Sequence, residues 1–138
     1  MYTPRSALEP VLTAVYAALN TAGLTGLAPV YNNVPEGVKP PYVIVQTPTE
    51  NPWNTFGAPG SDVVVPVECV SVQPSALEVV RLANAVRQLL DRAELSGTSG
   101  YAVASCRFES SVPDEDVIDG VRYRYLTSLF RVTLGQTS

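Results

Sequence analysis

Residues 30–46 restrict the fold more than any other part of this chain, because they combine strand-forming residues with closely spaced turn residues. The turn residues are Pro35, Gly37, Pro40 and Pro41. Proline fixes its own backbone angle and disfavours helix in the residue before it, whereas glycine tolerates left-handed backbone. Residues 42–47 then alternate and are mostly β-branched or aromatic, which is typical of a strand. We therefore expect a hairpin of strands at 30–34 and 42–47, joined by a turn at 35–41.

The rest of the chain supplies two helical patterns and three further strand patterns. Apolar residues recur every three or four positions in 6–22 and again in 75–91, which predicts two helices. Alternating patterns predict strands at 62–72, 101–112 and 121–134. The predicted order is α-β-β-β-α-β-β. Because consecutive strands dominate, we predict an α+β fold with a mostly antiparallel sheet and two helices packed on one face. We expect residues 1–138 to form one domain.

Two segments between these elements have the composition of loops, and one strand contains a proline. Residues 48–61 and 113–120 are rich in Pro, Gly and polar residues, so the sequence predicts loops there. Pro66 lies inside the strand at 62–72, although proline cannot donate a hydrogen bond to a neighbouring strand. It therefore predicts a sheet edge or a bulge at that position.

The residue types present argue against an enzyme and against a metal site. The chain has 0 His and 2 Cys, so it lacks the commonest general base and cannot complete a typical four-ligand zinc site. Cys69 and Cys106 fall on apolar strand faces, which predicts buried free thiols. A disulfide is the alternative if their strands pair, but a cytoplasmic protein would keep it reduced. We expect no catalytic residues, no cofactor and no bound metal.

Charge and hydropathy narrow the possible partners. The formal net charge is −4, whereas a dedicated nucleic-acid binder usually has a basic face. No apolar run approaches the roughly 20 residues that span a bilayer, and the first residues lack a signal-peptide layout. We therefore expect a protein assembled in a cytoplasm, without a membrane partner.

Three groups of residues are candidates for contact with a partner. They are Trp53, Asn54 and Phe56 in the first loop, Asp114, Glu115 and Asp116 in the second, and Tyr123 and Tyr125 on the last strand. Aromatic residues dominate the energetic centres of interfaces, although the loop aromatics would equally pack back onto the core. The acidic residues fit a solvated turn, a weak metal site, or an electrostatic role at an interface or a DNA channel. Tyrosines on the outer face of a strand favour contact with another subunit.

Five segments also resemble a known family. They are VYNNVPEGVKPPYVIVQ at 30–46, TENPWNTFGAPGSD at 49–62, SALEVVRLANAVRQLLD at 75–91, CRFESSVPDED at 106–116 and VRYRYLTSLFRV at 121–132. Their order and spacing are similar to those of the tail-completion or tail-terminator proteins of long-tailed bacteriophages and related gene-transfer particles. The resemblance covers nearly the full chain. This chain departs from many relatives in lacking histidine and in having Pro66 within a strand.

The resemblance implies a structural role in the virion. It implies a ring, typically a hexamer, at the end of the tail tube, where it stops tube growth and binds the head–tail connector or stopper. The implied partners are further copies of the chain, the major tail tube protein and the connector, while DNA passes through the lumen without specific binding. The family has no catalytic residues to transfer. The ring would be assembled in the cytoplasm of the bacterial host.

Other functions remain open from the sequence. One is a different ring at the same junction, such as a head-completion or stopper protein, or a tail-tube subunit that uses 49–61 as a stacking loop. Another is a small-molecule-binding regulatory α+β module, which should show an apolar pocket with a few convergent polar groups.

Overall fold

The computed structural model describes residues 5–52, 60–95 and 100–137. Within them the chain forms three helices and six strands. The helices are α1 (Leu8–Leu19), α2 (Ala22–Thr25) and α3 (Leu77–Leu90). The strands are β1 (Val30–Tyr31), β2 (Tyr42–Val45), β3 (Thr49–Pro52), β4 (Gly60–Ser71), β5 (Tyr101–Ile118) and β6 (Val121–Gln136).

All six strands belong to one sheet. From edge to edge the order is β1, β2, β4, β6 and β5, and β3 pairs with β4 alongside β2. Every pair is antiparallel except β1 with β2. The predicted α+β class with a mostly antiparallel sheet is therefore confirmed.

The observed order, α-α-β-β-β-β-α-β-β, differs from the predicted order by one helix and one strand. The added helix, α2, is a single turn between α1 and β1. The added strand, β3, occupies the start of the predicted loop at 48–61 and pairs with residues 61–64 of β4. The residues of β3 have low strand propensity, so the strand forms because its backbone pairs with the long β4.

The predicted hairpin at 30–46 is wrong. β1 and β2 are neighbours, but they are parallel, with Val30 opposite Val43 and Tyr31 opposite Ile44. A tight turn reverses the chain, whereas a long connection can bring it back to run in the same direction. β1 ends at Tyr31, earlier than the sequence pattern indicates, and β2 begins at Tyr42. Residues 32–41 are therefore available to form such a connection.

β5 and β6 form a hairpin longer than predicted. The predicted loop at 113–120 is wrong, because β5 continues to Ile118 and each residue of 113–118 has a partner on β6. The turn consists of Asp119 and Gly120, both with positive φ (52° and 78°), as two-residue hairpin turns favour. Proline at position 113 is tolerated because β5 lies at the edge of the sheet.

Pro66 lies neither at an edge nor in a bulge, so that expectation is also wrong. Its carbonyl oxygen accepts a hydrogen bond from the Gln46 backbone nitrogen at 3.0 Å. In an antiparallel strand the backbone nitrogen and carbonyl oxygen of one residue point to the same neighbour. Because the Pro66 carbonyl points to Gln46, the Pro66 nitrogen also faces the segment between β2 and β3, and not β6. The pairing of β4 with β6 therefore continues without a shift from Gly60 to Ser71.

The helices pack against one face of the sheet, and the core lies between them. Its strand residues include Val63, Val65, Val67 and Cys69 of β4 and Phe130, Val132 and Leu134 of β6. Cys69 and Cys106 are both buried as free thiols. Among the described residues, no helix has the length and apolar character needed to cross a membrane.

Candidate subunit interface

The sheet face turned away from the helices has an apolar centre. Strand register places Tyr42 opposite Val70, Val70 opposite Tyr125, and Tyr125 opposite Asp114, in one row across four strands. Val70 is only 1% exposed, although it is not part of the core under the helices. Its flanking tyrosines provide a second, smaller apolar cluster on this face.

Four tyrosines surround this centre and form two edge-to-face pairs. The rings of Tyr31 and Tyr42 have centroids 6.2 Å apart, and those of Tyr123 and Tyr125 have centroids 6.4 Å apart. All four are half-buried, so part of each ring remains in contact with water. We call these four residues and Val70 the tyrosine face. Rigid aromatic side chains with one polar tip are enriched at protein interfaces.

Glu68 lies beside the tyrosine face, opposite Ile44 on β2 and Thr127 on β6. Burial raises the pKa of its carboxyl and the nearby Asp114 charge adds to this, whereas the Thr127 hydroxyl, which donates to Oε2 at 3.4 Å, opposes it. Burial also raises the pKa of Tyr42 and of Tyr125. The carboxylate form of Glu68 is therefore disfavoured in this partly buried setting near the negative charge of Asp114. A partner that offers a cation or a hydrogen-bond donor would stabilise it.

The opposite end of the same face is polar. Arg131 donates from Nε to Glu109 Oε1 at 2.8 Å and pairs through Nη1 with Asp62 Oδ2 at 3.4 Å. The Thr133 hydroxyl donates to Asp62 Oδ1 at 2.8 Å. The charges of Arg131, Asp62 and Glu109 are therefore paired within the subunit. The apolar end is therefore the part of the face that gains most from being covered.

The β5–β6 hairpin extends past the last paired residue of β4. The pairing of β4 with β6 ends at Ser71 opposite Arg124, so the rest of the hairpin is a two-stranded ribbon. Glu115 bridges Arg122 and Arg124, with distances of 3.0 Å and 2.5 Å from its carboxylate oxygens. Arg124 Nη2 also donates to the Pro74 carbonyl at 2.9 Å. These contacts fix the base of the hairpin, while its end is exposed.

The structure brings together part of the predicted set of contact residues. Asp114 lies opposite Tyr125, and Asp116 lies opposite Tyr123, so these four share the helix-free face. Glu115 lies on the other face of the hairpin, among the arginines. Trp53, Asn54 and Phe56 lie outside the described residues. The acidic residues do not assemble a metal site, since no group of three or more His, Cys, Asp or Glu among the described residues is arranged to hold an ion.

Sequence reasoning missed four residues of this surface, namely Tyr31, Tyr42, Glu68 and Val70. The alternation along 42–47 correctly groups Tyr42 with Ile44 on one side of β2. It does not identify the neighbouring strands, because that depends on the register between β2, β4 and β6.

Comparisons with known proteins agree with this architecture. Residues 13–133 match the model of a family described as "Tail completion protein gp17". A chain in the solved structure "Virion of native gene transfer agent (GTA) particle" has a similar fold, with a TM-score of 0.80 and 20% identity. The alignment covers 96% of this chain and 99% of that chain. Among curated proteins, none matches this sequence.

Proposed function

Because the chain belongs to the tail completion protein gp17 family, we propose that it caps the tail tube as a ring and joins the tube to the head connector. It is a structural component of a phage-like virion and not an enzyme. Its described surfaces therefore serve contact and not chemistry. The fold that it shares with a chain of a gene transfer agent virion agrees with this role.

The observation that carries the proposal is the tyrosine face. A sheet face with four half-buried tyrosines around a buried Val70 is already partly dry before any partner arrives. Covering it removes apolar area from water without a large cost in side-chain entropy, since the rings are already packed in pairs. A neighbouring subunit or the last tube ring would supply that cover.

Ring closure would occupy the lateral surfaces of each subunit, and termination would require in addition that the outer face of the ring binds the connector and not further tube subunits. When each subunit binds its neighbour head to tail and the rotation closes, no free lateral surface remains. We propose a hexamer, with the major tail tube protein on one side and the connector or stopper on the other. The net charge of −4 would disfavour adhesion of DNA that passes through the lumen. Assembly would take place in the cytoplasm of the bacterial host.

The proposal is tested by deleting the gene in its source phage and supplying variants in trans. We expect the deletion to give filled heads beside unattached tails of irregular length in negative-stain electron microscopy. The wild-type gene should restore joined particles, and Tyr125→Arg should not, because it places a charge in the tyrosine face. Gln88→Arg is the matched control, since it adds the same side chain at an exposed position of α3.

Two results would change the assignment. Tails of normal length beside unjoined heads would move the role to the head side of the junction, as for a stopper protein. Infectious particles in normal number after deletion would overturn the structural role.

A further inference from the structure

Among the described residues, the exposed large hydrophobic side chains occur in only two regions. Leu27, Leu77 and Val80 lie on α3 and on the segment that follows α2, and Val112, Val117, Ile118 and Val121 lie on the β5–β6 hairpin. Exposed apolar side chains that cluster in this way mark contact sites. The two regions differ in shape, because the first includes a groove, whereas the second runs from Val112 in the body of the sheet to the end of a projecting ribbon.

The groove has a volume of about 380 Å³. Leu27, Leu77 and Leu82 provide its apolar lining, and Ser75, Glu78 and Arg81 provide polar groups. None of the lining residues belongs to the hairpin. Glu78 is engaged within the subunit, since its Oε1 accepts a hydrogen bond from the Ser71 hydroxyl at 2.6 Å. Arg81 is exposed and forms no ion pair with any residue that the structure describes.

The hairpin end carries apolar side chains on both faces. Val117 lies opposite Arg122 and shares its face, whereas Ile118 and Val121 lie opposite each other on the helix-free face. A ribbon that is apolar on both sides gains most by entering a groove, because a flat surface would cover only one side. Asp119 in the turn forms no ion pair among the described residues and so offers a charge opposite to that of Arg81.

From these observations we propose that the hairpin end of one subunit inserts into the groove beside Leu27 and Leu77 of the next copy. Ile118 and its neighbours would contact Leu27 and Leu77, and Asp119 would pair with Arg81. This inference rests on the proposed ring and adds the contact that forms it. The contact joins two different surfaces, which is the type of interface that closes into rings.

Cross-linking tests the contact directly. The variant with both Ile118→Cys and Leu77→Cys, treated with a short bismaleimide, should give a ladder of covalent oligomers on a denaturing gel. The natural cysteines are buried and should not react. The matched control combines Ile118→Cys with Ala17→Cys, because Ala17 is exposed on a different helix. Absence of a ladder at high protein concentration, or an equal ladder in the control, would overturn the proposal.

Mixing two variants tests the direction of the contact. Ile118→Lys disables the hairpin end and leaves the groove intact, whereas Leu77→Lys does the reverse. Each should remain monomeric alone, and an equimolar mixture should form one-to-one dimers and nothing larger, as measured by light scattering. Both positions are exposed, at 43% and 50%, so the fold should survive, which circular dichroism would check. Dimers of either variant alone would contradict a head-to-tail contact.

The outcomes separate this contact from the proposed function. If deletion of the gene alters tails as expected but the cross-link ladder is absent, the tail role stands and the contact is wrong. If the ladder forms but deletion leaves particles intact, the contact stands and the tail role is wrong.

Discussion

Glu115 and Arg124 lie directly opposite each other on β5 and β6, with 2.5 Å between Glu115 Oε1 and Arg124 Nη1. The Arg124 side chain is only 19% exposed, and it also reaches the carbonyl of Pro74 ahead of α3. Its Nε is buried and has no hydrogen-bond partner among the described residues. The pair therefore sits where the two-stranded hairpin leaves the body of the sheet, and it limits how freely the hairpin can move.

We expect Glu115→Gln to loosen the hairpin without unfolding the protein. Glu115 is nearly half exposed, so the loss of global stability should stay below about 1 kcal/mol. Amide hydrogen exchange should accelerate in 113–124, because a two-stranded ribbon has little stability of its own. Glu109→Gln, which breaks the Arg131 pair on the body of the sheet, is the control. Equal amide exchange rates in residues 113–124 of both variants would show that Glu115 does not restrain the hairpin.

The two thiols should be unreactive in the folded protein. Burial raises the pKa of Cys69 to about 12 and that of Cys106 to about 11, and both side chains are almost fully covered. Thiolate is the reactive form, so neither should react with a disulfide reagent at pH 8. In urea both should react. Rapid modification of either thiol in the folded protein would contradict their placement in the core.

Local periodicity in the sequence predicts the faces of β4 and β6 correctly, whereas in β5 a register shift leaves Ala102 and Ala104 exposed. Val63, Val65 and Val67 on β4, and Phe130 on β6, are buried as their alternation predicts. This works because a strand beneath helices needs a dry side chain at every second position, and that requirement leaves a pattern in the sequence.

Features that depend on which strands pair, and in which register, are not predictable from local periodicity. The residues PDEDVID have the composition of a turn, yet most of them form strand because β6 offers a partner for each. The tyrosine face depends on Tyr42 and Tyr125 flanking Val70, and these residues come from three distant segments. A single sequence carries no register information between such segments. The alternation within β6 therefore predicts Tyr125 as a contact residue, but nothing in the sequence places Tyr42 on the same surface.

Glu50→Gln should destabilise the fold at neutral pH. The Glu50 carboxylate accepts hydrogen bonds from the Ala7 backbone nitrogen at 2.8 Å, the Ser6 hydroxyl at 2.9 Å and the Ser61 hydroxyl at 2.7 Å. It thereby ties the start of α1 to β3 and β4. Glutamine presents only one acceptor oxygen, so we expect a loss of about 1–3 kcal/mol in urea denaturation at pH 7.

The effect of Glu50→Gln should fade in acid. Burial alone would raise the pKa of Glu50, but its hydrogen bonds outweigh burial and lower it. A lowered folded-state pKa gives stability that is present above the unfolded value of about 4.3 and is lost as pH falls through the folded value. The difference in stability between the two proteins should therefore begin to shrink below about pH 4.3 and continue to shrink as pH falls through the folded pKa. A constant difference from pH 7 to pH 3 would show that ionisation of Glu50 contributes nothing.

Glu68→Gln should show the opposite sign. Burial raises the pKa of Glu68, so its charged form is disfavoured in the folded subunit, and the wild type loses stability as pH rises through the folded pKa. At pH 7 the glutamine variant should equal or exceed the wild type in free energy of unfolding. This advantage should disappear below about pH 4, where the carboxyl is protonated in both the folded and unfolded states. Urea denaturation at both pH values, with Glu50→Gln measured alongside, checks the contrast. A Glu68→Gln variant that is clearly less stable at pH 7 would mean that the Thr127 hydrogen bond outweighs the cost of burying this charge on the tyrosine face.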